Sequence, residues 1–182
     1  MDTEIRDLTS DEARAIVYRA SDQHIATLDE ALALCSSLNL WVMLDIKTFD
    51  NPPNSEQFFQ RISDLLQVHN LTRTTVTISG HHLTQKHLVG KVLFRVTNEE
   101  FKKVQDGASV PLNHKFWFGL PEALPSEMVS KLQQNGALVM PAINTFRYPA
   151  HADRELAHQD IERLLNAGVD GFQIDSIYED LF

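Results

Sequence analysis

Trp41-Val42-Met43-Leu44-Asp45-Ile46-Lys47 is an apolar run that ends in a carboxylate and an ammonium group two residues apart. Such a run is typical of a strand that is buried on both faces. Residues two apart on a strand point to the same side, so we expect Asp45 and Lys47 to emerge together at its carboxyl end. The stretch therefore predicts a parallel strand with polar side chains where the strand ends.

Five further segments have the pattern of buried strands, and helical patterns separate them. We expect these strands at residues 74–79, 92–96, 116–119, 137–143 and 172–175. Pro141 suits its strand poorly, because proline has no N–H to donate. Six strands that alternate with helices are typical of a parallel α/β sheet, and the alternation fits either a barrel or an open doubly wound sheet.

Three helices are expected to begin with a capping box, in which a threonine stands three residues before a glutamate. The pairs are Thr9 with Glu12, Thr27 with Glu30, and Thr97 with Glu100. The first helix is expected to carry Ile16 and Val17 on its apolar face. The second is expected to bury Cys35 as a small hydrophobic residue rather than to use it as a nucleophile or in a disulfide.

Composition predicts one ordinary globular domain over residues 1–182. The chain is 43% hydrophobic and 23% charged, which suffices for a single core. Its formal net charge of -9 argues against nucleic-acid partners and anionic membrane surfaces, because both would repel it. No apolar run approaches the roughly 18 residues that a membrane span requires. We therefore expect a cytoplasmic protein without a membrane span.

Polar side chains follow the carboxyl ends of the expected strands. In parallel α/β proteins the chemistry collects at these ends, because the loops vary while the sheet holds them in place. A solvated rim is the alternative explanation for each residue. The residues are Asp45 and Lys47, Ser79 with His81 and His82, Arg95, Asn144 with Arg147, and Asp175.

Four stretches in this order resemble the glycerophosphodiester phosphodiesterases, which are TIM barrels of the phospholipase-C-like phosphodiesterase type. Residues 25–32 are similar to the family's Ile-Pro-Thr-Leu-Glu-Glu helix start, with Ala26 in place of proline. Residues 44–47 are similar to its strand ending in Glu-Ile-Lys, and residues 139–144 occupy the place of its Trp-Thr-Val-Asn strand. Residues 167–175 are similar to its closing Gly-Val-Asp-Gly-Ile-x-Thr-Asp, which is the most specific of the four.

The resemblance implies an incomplete TIM (β/α) barrel with about six parallel strands and flanking helices. A complete TIM barrel has eight strands and typically about 250 residues. The family's first two strands carry a His-Arg-Gly, a Glu-Asn-Thr, a Glu-x-Asp pair and a second histidine, and these would lie before Met1. We therefore expect residues 1–182 to form a single, N-terminally truncated domain, either a fragment of a longer reading frame or a true short protein.

The resemblance also implies a divalent cation, calcium or magnesium, that neutralises a phosphodiester while histidines transfer protons. Asp45 matches the family's metal-binding glutamate, and Lys47 matches the lysine beside it. One carboxylate binds neither ion tightly alone, so we expect weak or absent metal binding. An ion pair with Lys47, or a role as a helix-capping acceptor, is the alternative for Asp45.

Other residues could supply the missing acid, base and phosphate contacts. His81 and His82 are the candidate catalytic residues, since the pKa of histidine lies near neutrality, and a solvated loop is their alternative. His151 and His158 are weaker candidates. Lys47, Arg95, Asn144 and Arg147 are the candidate substrate-binding residues, although surface ion pairs would account for the two arginines equally well. We expect Asp175 to order the last loop, and Asp170 to shape the turn before the last strand.

Two functions from different classes remain open. The first is phosphodiester hydrolysis in glycerophospholipid turnover, with impaired or absent catalysis in this chain. The second is a non-catalytic barrel that binds a phosphorylated small molecule or a protein partner through the same rim. A barrel that lacks strands exposes unpaired edges, so we also expect self-association, exchange of elements between copies, or a segment folded across the gap.

Overall fold

The computed structural model of the chain describes residues 7–47, 55–148 and 153–181. Helices and short strands alternate along these ranges. In chain order the elements are α1 (Ser10–Arg14), α2 (Leu28–Ser37), β1 (Val42–Leu44), α3 (Ser55–Val68), β2 (Thr75–Thr77), α4 (His82–Leu88), β3 (Leu93–Arg95), α5 (Asn98–Gln105), β4 (Lys115–Trp117), α6 (Ser126–Gln134), β5 (Leu138–Val139), β6 (Ala142–Ile143), α7 (Asp153–Ala167) and β7 (Gln173–Ile174). Single 3-10 turns occupy Pro121–Ala123 and Thr145–Arg147, and a longer 3-10 segment occupies Ser176–Leu181.

All strand pairs are parallel, in the sequential order β1-β2-β3-β4-β5, with β6 paired to β7. The strand expected at 137–143 is split at Pro141 into β5 and β6. Both halves remain attached to the β4 segment, because Met140 N–H donates to Trp117 O (3.0 Å) and Ala142 N–H donates to Gly119 O (2.9 Å). Pro141 O accepts from Gln173 N–H on the other side (3.0 Å). The six predicted strands are therefore confirmed, and proline interrupts only one of them.

The strand order excludes the doubly wound alternative, in which the order reverses at a switch point. The register places Leu44, Thr77 and Phe94 on one face of the sheet, together with Trp117 and Val139. Helices pack on this face, which we call the helix face, and the opposite side is the inner face. Among the described residues β1 pairs only with β2, and β7 pairs only with β6, so the barrel is not closed.

Two apolar clusters hold the helices against the helix face. One joins β1 to α2, α3 and α4 and contains the fully buried Phe59 and Leu66. The other joins β4 to β6 with α5, α6 and α7 and contains the fully buried Leu132 and Ile161. Burial of this apolar surface is the main stabilising contribution to the fold, and it leaves the carboxyl ends of the strands to the loops.

All three predicted capping boxes are present, at the starts of α1, α2 and α5. The prediction that α1 carries Ile16 and Val17 is wrong. The helix ends at Arg14, and the chain turns back so that Val17 forms an isolated antiparallel bridge with His24. Ile16 and Val17 are consequently exposed. Cys35 packs against the first apolar cluster, half-buried rather than fully buried as expected.

Of the helices in the described ranges, none combines the length and the apolar character that crossing a membrane would require.

Candidate functional site

The carboxyl ends of the strands meet at one rim, and several of the predicted site residues lie on it. Extending the observed register by one residue places Asp45 beside Ile78, and Ile78 beside Arg95. Asp45 and Arg95 therefore occupy the same row on the inner face, two strands and roughly 10 Å apart. Asp45 and Lys47 lie just beyond β1, which ends at Leu44.

Asp45 and Lys47 form an ion pair at the rim, with Lys47 Nζ 2.6 Å from Asp45 Oδ2. The lysine side chain is 76% exposed and the aspartate side chain 46%, so solvent screens the pair. This is the ion-pair alternative of the sequence prediction. The Lys47 ammonium group therefore points at the Asp45 carboxylate rather than at a ligand.

The described residues do not provide a donor set that fits calcium or magnesium. Calcium takes about six to eight oxygen ligands and magnesium about six. No group of three or more histidine, cysteine or acidic side chains comes together within residues 7–47, 55–148 and 153–181. Asp45 as a metal ligand therefore stays a prediction.

His81 is the N-cap residue of α4 rather than a solvated loop residue. Its Nδ1 accepts a hydrogen bond from Leu83 N–H (3.3 Å), which leaves the ring proton of the neutral imidazole on Nε2. The ring stacks on buried Phe59, with centroids 5.4 Å apart and planes only 7° from parallel. His81 is thus fixed in orientation by both contacts.

His82, the first residue of α4, is exposed, and its ring centroid is 4.6 Å from that of His81. No hydrogen bond connects the His82 side chain to another described residue, so its imidazole is available to a ligand. His158 lies on α7, 3.7 Å from Glu162 and remote in the chain from the histidine pair. His151 lies outside the described residues.

Arg95 ends β3 on the inner face and is the predicted phosphate-binding residue with the fewest competing contacts. Its guanidinium carbon lies 6.0 Å from the centre of the Phe118 ring, a cation–π contact. The Arg95 side chain forms no ion pair or hydrogen bond with any described residue. Arg95 lines a cavity of about 510 Å³ between α4 and α5. It also lines a second cavity, of about 270 Å³, beside the end of β4.

Arg147 is occupied by a carboxylate, in contrast to Arg95. Its Nε donates to Glu122 Oε2 (2.7 Å), and this hydrogen bond is the main reason why the pKa of Arg147 is raised. The guanidinium also lies over the Tyr148 ring, with 5.4 Å between its carbon and the ring centroid. Arg147 therefore forms an ion pair, which was the alternative to phosphate binding for this residue.

Asn144 and Asp175 tie the end of β6 to the end of β7. Asn144 Nδ2 donates to Gln173 Oε1 (3.0 Å) and to Asp175 Oδ1 (3.2 Å). Asp175 Oδ2 accepts from Thr145 N–H (2.7 Å) and from the Thr145 hydroxyl (2.8 Å). These hydrogen bonds lower the pKa of Asp175, and the bond from the Thr145 backbone N–H has the largest effect. The Asp175 side chain therefore holds the Thr145–Arg147 turn that follows β6, and Asn144 is part of the same network. The expected ordering of the loop after β7 by Asp175 stays a prediction.

Two polar contacts near the rim could not be anticipated from sequence spacing. Glu122 follows β4 and meets Arg147 from 25 residues away. Ser79 follows β2, and its hydroxyl lies 3.0 Å from that of Thr84 on α4. The only sequence signal for either is its position just beyond the end of a strand.

The fold and the rim together define the class of protein. It is a parallel α/β barrel that is open among the described residues and carries polar side chains at the ends of its strands. No protein-family model matches the sequence, and no curated protein matches it. Solved structures do match. A protein described as a glycerophosphodiester phosphodiesterase from Galdieria sulphuraria has a TM-score of 0.62 at 18% identity, over 95% of this chain and 68% of that chain.

Two further structures agree with the first. One is described as a glycerophosphoryl diester phosphodiesterase from Silicibacter pomeroyi DSS-3, with a TM-score of 0.56 at 15% identity, over 87% of this chain and 56% of that chain. The other is a glycerophosphodiester phosphodiesterase from Agrobacterium tumefaciens str. C58, with a TM-score of 0.55 at 15% identity, over 85% of this chain and 60% of that chain.

This chain has the fold of these phosphodiesterases, and it spans 56% to 68% of their lengths. The sequence resemblance is therefore confirmed at the level of the fold, as is the incomplete barrel. At these identities the likeness carries no residue-by-residue assignment of function, because a fold supports many activities.

Proposed function

We propose that this chain is a glycerophosphodiester phosphodiesterase-like protein of glycerophospholipid turnover that binds a phosphodiester at the rim and hydrolyses it slowly or not at all. The observation that carries the proposal is Arg95, which lines two cavities at the strand ends and whose guanidinium has no anionic partner among the described residues. A planar guanidinium with free N–H groups is the side chain that best matches a phosphate. Cytoplasmic localisation stays part of the proposal.

Impaired hydrolysis is supported by how the candidate catalytic groups are engaged. Asp45 is paired with Lys47, and His81 uses Nδ1 to cap α4. His82 is the better placed of the two histidines for proton transfer, since its exposed ring has no hydrogen bond to the described part of the chain. The proposal includes weak or absent metal binding by Asp45, which the experiment below measures.

The alternative is a non-catalytic barrel that binds a phosphorylated small molecule or a protein partner. The Asp45–Lys47 ion pair favours it, because a carboxylate held by an ammonium is a poor start for a cation site. The two readings share the phosphate-binding role of Arg95 and differ only in turnover.

The test measures binding and turnover on the same protein. Glycerophosphocholine binding is followed by calorimetry, and hydrolysis of bis(p-nitrophenyl) phosphate is followed with and without calcium or magnesium. We expect binding that Arg95→Gln weakens at least tenfold, with little turnover. Arg61→Gln is the matched control, because Arg61 is exposed on α3 and lines a different cavity.

Each outcome decides one part of the proposal. Metal-dependent turnover that Asp45→Ala and His82→Gln abolish, while His158→Gln retains it, establishes a hydrolase with Asp45 and His82 in its site. Binding without turnover establishes the non-catalytic reading. A folded protein that neither binds nor hydrolyses these diesters overturns the proposal.

A further inference from the structure

The start of α4 is held by an acceptor atom that a proton can remove. His81 Nδ1 accepts from Leu83 N–H (3.3 Å), an N–H of the first turn, which has no partner within the helix. A neutral imidazole can accept because one of its nitrogens carries no proton, whereas an imidazolium carries an N–H on both. Histidine side chains change between these forms in the range of about pH 5 to 8. The cap of α4 therefore exists only while His81 is neutral.

The ring of His81 is held in place by its neighbours. It stacks on buried Phe59, with centroids 5.4 Å apart and planes 7° from parallel. The face of an aromatic ring tolerates a cation, so this stack survives protonation. The cap does not survive, because a proton on Nδ1 points at the Leu83 N–H and two donors repel each other. The positive charge would also stand at the N-terminus of a helix, where the backbone dipoles disfavour it.

No carboxylate of the described residues is paired with His81 to compensate its charge. The ring centroid of His82, a second imidazole, lies 4.6 Å away. The charged groups of the elements around it are already engaged or lie further along α3. They are Glu56 with Lys86 and His87, Asp45 with Lys47 at the end of β1, and Arg61 and Asp64 on α3. Protonation of both imidazoles therefore places two positive charges side by side.

The last turn of α4 responds to acid in the opposite direction. His87 lies in that turn, and its Nε2 contacts Glu56 Oε2 on α3. The pKa of Glu56 is lowered, chiefly by the hydrogen bond from Lys86, so the carboxylate stays charged in mild acid. A proton on His87 consequently turns the contact with Glu56 into an ion pair. Acid weakens the hold on the first turn of α4 and strengthens the hold on the last.

We infer that His81 and His87 make α4 a proton-controlled element: below about pH 6 its first turn comes loose at His81, while its last turn stays tied to α3 through His87. The change reaches the rim, because His82 belongs to the first turn and Gln85 lines the cavity of about 510 Å³. The inference depends only on the contacts of α3 and α4, and it goes beyond the proposed function.

An NMR titration of the full chain from about pH 8 to about pH 5 tests the first turn. We expect the helical displacement of the Cα shifts at His82 and Leu83 to fall by at least half, with the same midpoint as the His81 ring resonances. The Cα shift of Leu88, in the last turn, should stay helical. A first turn that remains helical after the His81 ring has taken up its proton overturns the inference.

Substitution of each histidine assigns the response. His81→Asn is the matched variant, because asparagine caps helices through its side-chain oxygen and does not titrate. We expect its first turn to stay helical over the whole pH range. His82→Asn removes the neighbouring imidazole and should retain the response of the wild type. A response that persists in His81→Asn, or that is lost in His82→Asn, overturns the assignment to His81.

Glu56→Gln tests the hold on the last turn. Without the carboxylate, protonated His87 has no ion pair to α3, so the helical displacement at Leu88 should also fall at about pH 5. Asp64→Asn is the control, since Asp64 binds Gln60 on its own helix rather than His87. A last turn that stays helical in Glu56→Gln contradicts the role of His87. Phosphodiester binding is not measured here, so failure of this inference leaves the proposed function unaffected.

Discussion

At the residue scale, the Asp170 carboxylate supplies a hydrogen-bond acceptor for a strand N–H group, a role that a neighbouring strand usually fills. Its Oδ2 accepts from the backbone N–H of Val139 (2.7 Å) and from Gln133 Nε2 (3.1 Å). Val139 is fully buried in the second apolar cluster, so its N–H has little access to water. The turn predicted around Asp170 is therefore held by a bond to the neighbouring strand, and Gly168 supports it with a φ of +78°.

Replacing Asp170 by alanine should destabilise the protein by about 1–3 kcal/mol, because the Val139 N–H loses its partner. Asp170→Asn is the matched variant, since its amide oxygen can still accept that hydrogen bond. Urea unfolding at neutral pH measures both free energies of unfolding. Equal losses for the two variants would show that the acceptor at Val139 is not the reason for the effect.

Asp175 should make the stability depend on pH in the acidic range. Its pKa is lowered in the folded state, chiefly by the Thr145 backbone N–H. The stabilisation is therefore fully present above the unfolded pKa of about 4, and it is lost as the pH falls through the lower folded value. Asp175→Asn should lower the free energy of unfolding most above about pH 4, and the difference from wild type should shrink below it.

Urea unfolding of both proteins across this pH range checks the Asp175 prediction. Asp22→Asn is the control, because Asp22 is exposed and its side chain makes no hydrogen bond to the described residues. A difference between wild type and Asp175→Asn that grows as the pH falls would contradict the assigned sign.

At the scale of helices and strands, the sequence predicted what local patterns determine. Apolar runs marked the six strands, and threonine–glutamate spacing marked three helix starts, because both signals are contained within a few neighbouring residues. The end of α1 was missed, since the pairing of Val17 with His24 depends on a turn that carries no strong signal.

The rim was predictable in position but not in connectivity. Strand ends located Asp45, Arg95 and Asn144 because the side-chain period of a strand is fixed. Arg147 pairs with Glu122, which lies 25 residues away in the chain. His81 accepts from the backbone N–H of Leu83, and this contact exists only because α4 begins at His82. Such contacts depend on how the loops pack, which a single sequence does not encode locally.

The capping box of α2 gives a prediction for a whole element. Thr27 accepts from Glu30 N–H (3.2 Å), and Glu30 Oε2 accepts from Thr27 N–H (2.8 Å). Thr27→Ala should destabilise the protein by about 1 kcal/mol, whereas Thr27→Ser should retain most of the stability because serine caps as well as threonine. Thermal unfolding compares the two, and an alanine variant as stable as the serine variant would contradict the capping role.

At the scale of the whole molecule, the sheet ends in two strands with free edges among the described residues. β1 and β7 each have only one partner, and unpaired backbone groups favour pairing with another chain. Apolar side chains lie beside the β1 edge, since Leu40 is 49% exposed and Trp41 is 50% exposed. Leu34 on α2 and Leu38, which follows its last residue, are exposed as well. Edge and apolar surface together make β1 the expected place of contact between copies.

We therefore expect the chain to self-associate through β1 in a concentration-dependent manner. The double substitution Leu40→Lys with Trp41→Lys should shift it towards the monomer, because two positive charges beside the edge repel those of a second copy. Val68→Lys is the control, since Val68 is 70% exposed at the end of α3 and belongs to no strand. Size-exclusion chromatography with light scattering measures the mass across a dilution series. A strict monomer at the highest concentration contradicts association, and an oligomer that the double substitution leaves intact places the contact elsewhere.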